Sequence, residues 1–211
     1  MKLYFHYCPS GFSNCYLLGT EDDPGHPEKE QSKTAIIVDP GIMDSNLLKI
    51  IEDNNYDLKA VFITHDHPHH VMGLRAILRI YDTEIFAVNP LVGGHRATLV
   101  HDGELINIGS FKVEPFSVPG HSADSAIFRV DRFLFTGDAM SAGLVGNTAS
   151  SYSAATQISA LRRKILSLPG DYTILPGHGP PSSLEAERRF NLDLNTFEKQ
   201  KNRRHPFRME F

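Results

Sequence analysis

Four imidazoles fall within six residues, at His65, His67, His69 and His70, in the run Thr64-His65-Asp66-His67-Pro68-His69-His70. A neutral imidazole offers one lone pair to a cation, so histidines at this density suit a zinc or iron site better than a core. Three more polar residues stand beside glycines, each behind an apolar run. His121 follows Val118-Pro119-Gly120, Asp138 follows Phe133 to Gly137, and His178 follows Ile174-Leu175-Pro176-Gly177. Taken singly, each has a plain structural explanation as a cap, a turn or a loop residue. Repeated in this order at the ends of strand-like runs, they point to one metal-binding constellation carried on short turns.

The elements that must position these residues can be read from hydrophobic spacing. Strands are expected at Leu3 to Tyr7, Cys15 to Leu18, Thr34 to Val38, Ala60 to Ile63, Glu84 to Val88, Leu105 to Ile108, Phe111 to Val118, Ser125 to Val130, Phe133 to Thr136 and Tyr172 to Leu175. Helical spacing predicts a helix from Asn46 to Asn54 capped by Ser45. Others run through Val71, Leu74, Leu78 and Tyr81, through Ile158, Leu161, Ile165 and Leu168, and from Ser183 to Lys201. Thr20 to Lys33 reads as an exposed hairpin loop. Ser141 to Ser153, small and polar, reads either as a mobile substrate loop or as a plain connector. Strands alternate with helices at both ends around a hairpin-like centre, which argues for stacked layers with sheets inside and helices outside.

The 211 residues suffice for a single domain over residues 1–211, and 41% hydrophobic with 22% charged content is ordinary for a soluble protein. A net charge of -4, with Lys and Arg scattered apart from Arg203-Arg204, gives no footprint for nucleic acid. His6, Ser10, Ser13 and Asn14 interrupt the N-terminal apolar residues, so neither a signal peptide nor a membrane span is expected. Cys8 and Cys15 are expected to remain thiols in a cytoplasmic protein. His6, His26, His95, His101 and His205 lack convincing partners and are read as structural or surface residues. No Gly-x-Ser-x-Gly elbow, P-loop or Rossmann glycine pattern occurs. The expected partner is a small-molecule substrate; oligomeric state is not legible.

The series Val38-Asp39-Pro40-Gly41, Thr64 to His70, Pro119-Gly120-His121-Ser122, Thr136-Gly137-Asp138-Ala139 and Pro176-Gly177-His178-Gly179 resembles the five motifs of the metallo-β-lactamase superfamily. The likeness runs from about Asn14 to His178 and is strongest toward short glyoxalase II-like hydrolases that lack the helical glutathione-binding domain. It implies an α/β fold, a four-layer αββα sandwich, with a dinuclear metal site at one edge. It further implies that His65, His67 and His121 hold a first metal, that His70 and His178 serve a second, and that Asp138 bridges both. Asp39 would orient the ligand histidines through hydrogen bonds.

Two departures qualify that resemblance. The family pattern His-x-His-x-Asp-His has its Asp replaced by His69, which is kept as a candidate metal ligand but brings one lone pair and no negative charge. With Asp138 and one hydroxide against two divalent ions, the site keeps about +2 where a second carboxylate would leave about +1. A weaker second site, an altered metal preference or a single metal is therefore expected. Asp66 could substitute only if its loop were rebuilt. The Gly-Arg pair usual in the short subfamily after the bridging Asp is absent from Val145-Gly146-Asn147-Thr148, which weakens the case for a glutathione-type substrate.

The implied activity is hydrolysis of a thioester by metal-activated water, with Zn as one or two ions, or Fe or Mn, and with Asp138 and His69 as candidate catalytic residues. An oxidative alternative needs only His65, His121 and Asp138 as a two-His-one-carboxylate triad for Fe(II), the subset used by persulfide dioxygenases. A metal-binding protein with weak or lost turnover is the third reading.

Overall fold

A computed structural model describes residues 1–21 and 33–195. The first sheet joins β1 (Lys2–Cys8), β2 (Ser13–Gly19), β3 (Lys33–Val38), β4 (Tyr56–Phe62) and β5 (Glu84–Ala87) in sequence order. Beyond a small ribbon of β6 (Leu91–Val92) with β7 (His95–Arg96), β8 (Thr98–Leu99) completes its edge. β1, β2 and β3 pair antiparallel, whereas β3, β4, β5 and β8 run parallel. The second sheet contains β9 (Ile106–Ile108), β10 (Phe111–Ser117), β11 (Ala126–Val130) and β12 (Phe133–Gly137). After the hairpin β13 (Met140–Ser141)/β14 (Leu144–Val145), it gains β15 (Thr173–Pro176) and β16 (Ser182–Ser183), in the order β16-β15-β12-β11-β10-β9. β12 and β15 are parallel neighbours.

The period-2 alternation of strand side chains assigns each sheet face. On β3, Ala35 and Ile37 face one cluster with Leu47, Ile51, Leu74 and Ile77, from the helices α1 (Ser45–Asp53) and α3 (Leu74–Ile80). Ile36 and Val38 face the opposite way, with Phe62 and Phe86, into the space between the sheets, where Phe128 and Phe135 meet them. On the far side, Ile127, Leu134 and Ile174 pack against α4 (Ser151–Ala160) and α5 (Leu184–Phe190) through Ile158 and Leu184. Three apolar clusters between four layers are the αββα sandwich that the resemblance implied.

Several expected elements end or begin elsewhere. The cap of α1 is Asp44, one residue before Ser45; its carboxylate accepts the Asn46 and Leu47 N–H groups, and Ser45 is already helical. The single helix expected through Val71 to Tyr81 divides into α2 (Pro68–Val71) and α3. Gly73 N–H donates to Pro40 O at 2.8 Å, and a Cβ at Gly73 would lie 2.5 Å from that oxygen. Close approach to the Asp39-Pro40-Gly41 turn thus sets the break. The helix expected around Ile158 begins earlier, capped by Ser150, and continues as a π turn over Leu161–Ile165. Ser141 to Ser153 is therefore a hairpin followed by a helix start. α5 starts at its Ser183 cap but is interrupted at Asn191, whose ψ of 117° is not helical. The remainder of that expected helix beyond residue 195 lies outside the described residues, as do residues 22–32 of the expected hairpin loop, His26, Arg203-Arg204 and His205. Cys8 and Cys15 are buried free thiols. Among the described residues, no helix is long and apolar enough to cross a membrane.

Candidate metal centre

The candidate residues gather where parallel strands end, the position at which open α/β sheets commonly build sites. Asp39 follows β3, the histidine run follows β4, Asp138 follows β12 and His178 follows β15, while His121 comes from the turn between β10 and β11. Two groups of donor atoms result. His65, His67, His121 and Asp138 form one and His70, Asp138 and His178 the other, with the donor atoms of each group within 4.8 Å of one another. Asp138 belongs to both. Its Oδ1 accepts from His178 Nδ1 at 2.7 Å, and its Oδ2 faces His65 Nε2, His70 Nε2 and His121 Nε2 at 3.7, 3.6 and 3.6 Å.

These separations fit a shared cation better than they fit hydrogen bonds. Bonds of about 2.0–2.2 Å to one ion, opened at a tetrahedral angle, put donors roughly 3.3–3.6 Å apart. His65 Nε2 and His70 Nε2 are buried and have no hydrogen-bond partner, which is costly for polar atoms unless a ligand meets them. His67 Nδ1 lies 3.1 Å from His121 Nε2, so these two nitrogens also converge. The cluster is able to bind metal.

Neighbouring groups fix which nitrogen of each ring is free. Asp39 Oδ1 accepts the Thr64 backbone N–H at 2.8 Å, and Asp39 Oδ2 accepts the Thr64 hydroxyl at 2.6 Å and His70 Nδ1–H at 2.9 Å. With its proton given to Asp39, Thr64 Oγ1 accepts His65 Nδ1–H at 3.0 Å. His121 Nδ1–H donates to Asn147 O at 2.8 Å. Each bond turns Nε2 inward as the nitrogen that a cation would meet. Asp39 itself sits at φ +51°. Tight glycine packing completes the geometry: a Cβ at Gly137 (φ +48°) would lie 2.3 Å from Thr64 Oγ1, and one at Gly177 would lie 2.5 Å from His70 Cε1.

Protonation differs across the cluster. Burial, reinforced by the charge of His70, pulls His65 down to about 4, and burial with His121 lowers His67. Burial also opposes charge on His70, yet Asp39 and Asp138 lift it to about 10. Hydrogen bonding to Asp138 raises His178. Burial disfavours the Asp138 carboxylate too, but His178 and His70 hold it well below the usual carboxylate range.

His69 departs from the expected ligand set. Its side chain is exposed and lies in neither donor group; the ring packs over Gly11, where a Cβ would come within 2.6 Å of His69 Cγ, and its centroid is 6.2 Å from that of His178. Asp66 turns away as well, accepting Gly93 N–H at 2.9 Å. Spacing alone did not single out Thr64, Asn147 or Asn14. Asn14 donates from Nδ2 to Pro176 O and Gly179 O at 2.9 and 2.8 Å, securing the His178 turn across the molecule. Glu187, noted only as part of a motif, is buried beneath the site wall. It accepts Gly143 N–H, the Ser182 hydroxyl and Asn191 Nδ2, so α5 holds the β13–β14 hairpin.

An open cleft of about 270 Å³ leads to the centre, lined by His121, Asp138, Ser141, Leu144, Val145, Gly146, Asn147 and His178. The segment after β12 therefore walls the site rather than merely connecting elements.

The chain belongs to the metallo-beta-lactamase superfamily, whose sequence pattern matches residues 9–97. A protein of Treponema pallidum is 30% identical over 156 residues, covering 73% of this chain and 82% of the relative. Hydroxyacylglutathione hydrolase GloC of Haemophilus influenzae is 28% identical over 193 residues, covering 79% of this chain and 90% of its own. The crystal structure of ETHE1 from Myxococcus xanthus shares the fold with a TM-score of 0.78 at 22% identity, covering 96% of this chain and 92% of that one.

Proposed function

We propose that this chain is a metal-dependent hydrolase of small thioesters, with one ion held tightly by His65, His67, His121 and Asp138. His70 and His178 would share Asp138 around a weaker second position. The carrying observation is the single Asp138 oxygen faced by three imidazole nitrogens, two of them buried without hydrogen-bond partners. The likeness to hydroxyacylglutathione hydrolases supports the substrate class. The absence of an arginine after Gly146 leaves the thiol portion open to compounds other than glutathione.

Held by these residues, a divalent ion would supply Lewis acidity toward a carbonyl and would lower the pKa of water toward about 7. The protein supplies the rest. Asp138 stays ionised, and Asp39 and Thr64 accept from Nδ1 of His70 and His65, turning each Nε2 inward. Leu144 and Val145 give the cleft an apolar side beside the polar floor. A thiolate leaves without much acid assistance, which suits a cleft whose lining holds no dedicated proton donor beyond the histidines. His69, expected as a catalytic group, has no place in this reading beyond the rim.

Thioesters of glutathione and of simpler thiols, assayed with Zn, Mn or Fe before and after chelation, test the proposal. Metal-dependent release of thiol is expected; no turnover on any thioester with any metal would refute it. A second reading, Fe(II)-dependent oxidation of a persulfide, is favoured by the convergence of His65, His121 and Asp138 and fits the fold likeness to ETHE1. Iron content together with oxygen consumption on glutathione persulfide separates the two.

A further inference from the structure

Four non-glycine residues among those described adopt positive φ: Phe12, Asp39, Asn55 and Asp131. Asp and Asn tolerate this region because their short polar side chains can bond locally, whereas a bulky aromatic there is a genuine outlier. Phe12 has φ +53° and is 72% exposed. It therefore carries backbone strain while leaving its ring in water, and neither feature benefits the folded state. Strain of this kind, fixed by its surroundings, is a marker of a functional position.

The surroundings of Phe12 are those of the metal centre. The preceding residue, Gly11, accepts from His178 Nε2 through its carbonyl at 3.2 Å and supports the His69 ring. The following residue, Ser13, is fully buried, pairs with His178 through a backbone bridge, and donates its hydroxyl to His69 O at 2.8 Å. Asn14 N–H donates to Gly177 O at 2.7 Å. The chain on both sides of Phe12 is thus bonded to the His178 turn, which places the backbone of residue 12 beside the site. A second exposed apolar side chain, Leu144 at 47%, lines the cleft that contains His178.

We propose that Phe12 is a specificity-determining residue whose ring packs on an apolar substituent of the substrate, so that the site prefers aromatic or long aliphatic acyl groups over small polar ones. The substrate class rests on the hydrolase reading above, but the position of the ring does not. Phe12→Gly and Phe12→Asn remove the ring and accept the left-handed conformation; Phe12→Leu keeps an apolar contact.

Two measurements on the metal-loaded protein test this. The first is the ratio of kcat/KM for benzoyl and acetyl thioesters of glutathione. The second is the ratio of affinities for S-benzylglutathione and S-methylglutathione, which cannot be hydrolysed. The wild type is expected to favour the aromatic member of each pair. Both ratios should fall about tenfold in the Gly and Asn variants and persist in the Leu variant. Tm should hold or rise by about 2–4 °C in the Gly variant as strain is relieved. Ratios unchanged by losing the ring, a wild type with no aromatic preference, or equal losses on both substrates with a lowered Tm would each overturn the proposal. Should the wild type hydrolyse neither thioester, the thioether affinities decide the role of Phe12, and the hydrolase reading is tested separately on the wider thioester series.

Discussion

In the first donor group, His65 and His121 already have their outer nitrogens occupied, by Thr64 and by the Asn147 carbonyl, and their inner nitrogens point at Asp138. In the second group, His178 uses Nδ1 on Asp138 and Nε2 on the Gly11 carbonyl, so neither nitrogen is free without rearrangement. Charge sharpens the contrast. His65 and His67 are pushed toward the neutral, ligating form, whereas His70 and His178 are pushed toward holding protons. The residue between His67 and His70 that would add a carboxylate to the second group is His69, whose ring lies on Gly11 outside it. The two halves share Asp138 and His70 is held much as His65 is, yet in the second half His178 must give up a bond before it can meet a cation. On the proposed function, preorganisation rather than the number of histidines sets the difference between the two halves.

The most severe way to break this comparison is Asp138→Ala, which removes the one group common to both halves. Activity is expected to fall at least about 10³-fold, with bound metal lost from both positions, as read by kinetics and elemental analysis. Asp39→Asn is milder. It weakens the acceptor for Thr64 and His70 without touching a ligand atom, and metal affinity should drop about 10–100-fold in a competition titration with a chromophoric chelator.

His178→Ala sharpens the comparison from the other side: the first ion should be retained with nearly unchanged affinity while the second is lost. The smallest effect is the pH dependence of the second ion. Asp39 and Asp138 push His70 up to about 10, so without an ion it is expected to hold a proton at neutrality that a cation must displace. Below pH 10 the second affinity should rise about tenfold per pH unit for each proton displaced. Above pH 10 the His70 contribution is gone. The first affinity should be nearly flat above pH 7, because His65 is already neutral there. Calorimetry in buffers of differing ionisation enthalpy counts the protons released in each step.

Part of this donor cluster was legible in the sequence, because His121, Asp138 and His178 each stand next to a glycine at the end of an apolar run. Gly137 and Gly177 are needed where the backbone meets Thr64 and His70, and that requirement left a local mark. The layering was legible for a similar reason: Ala35, Ile36, Ile37 and Val38 are apolar on both faces, as a strand buried between helices and a second sheet must be. What was not legible depends on contacts across the chain. The division between α2 and α3 follows from Gly73 meeting Pro40, while the spacing of Val71, Leu74 and Leu78 continues through it unchanged. Asn14 and Pro176 are 162 positions apart, so their hydrogen bond has no sequence signature. His69 looked like a ligand by adjacency; only the packing of its ring over Gly11 shows otherwise.

The most direct measurement is metal content per chain, by elemental analysis of protein loaded with excess Zn and dialysed at pH 7. One retained ion per chain is expected, displaced to none by Asp138→Ala and unaffected by His178→Ala. Two ions surviving dialysis in the wild type would contradict the unequal halves on which the proposed function is built.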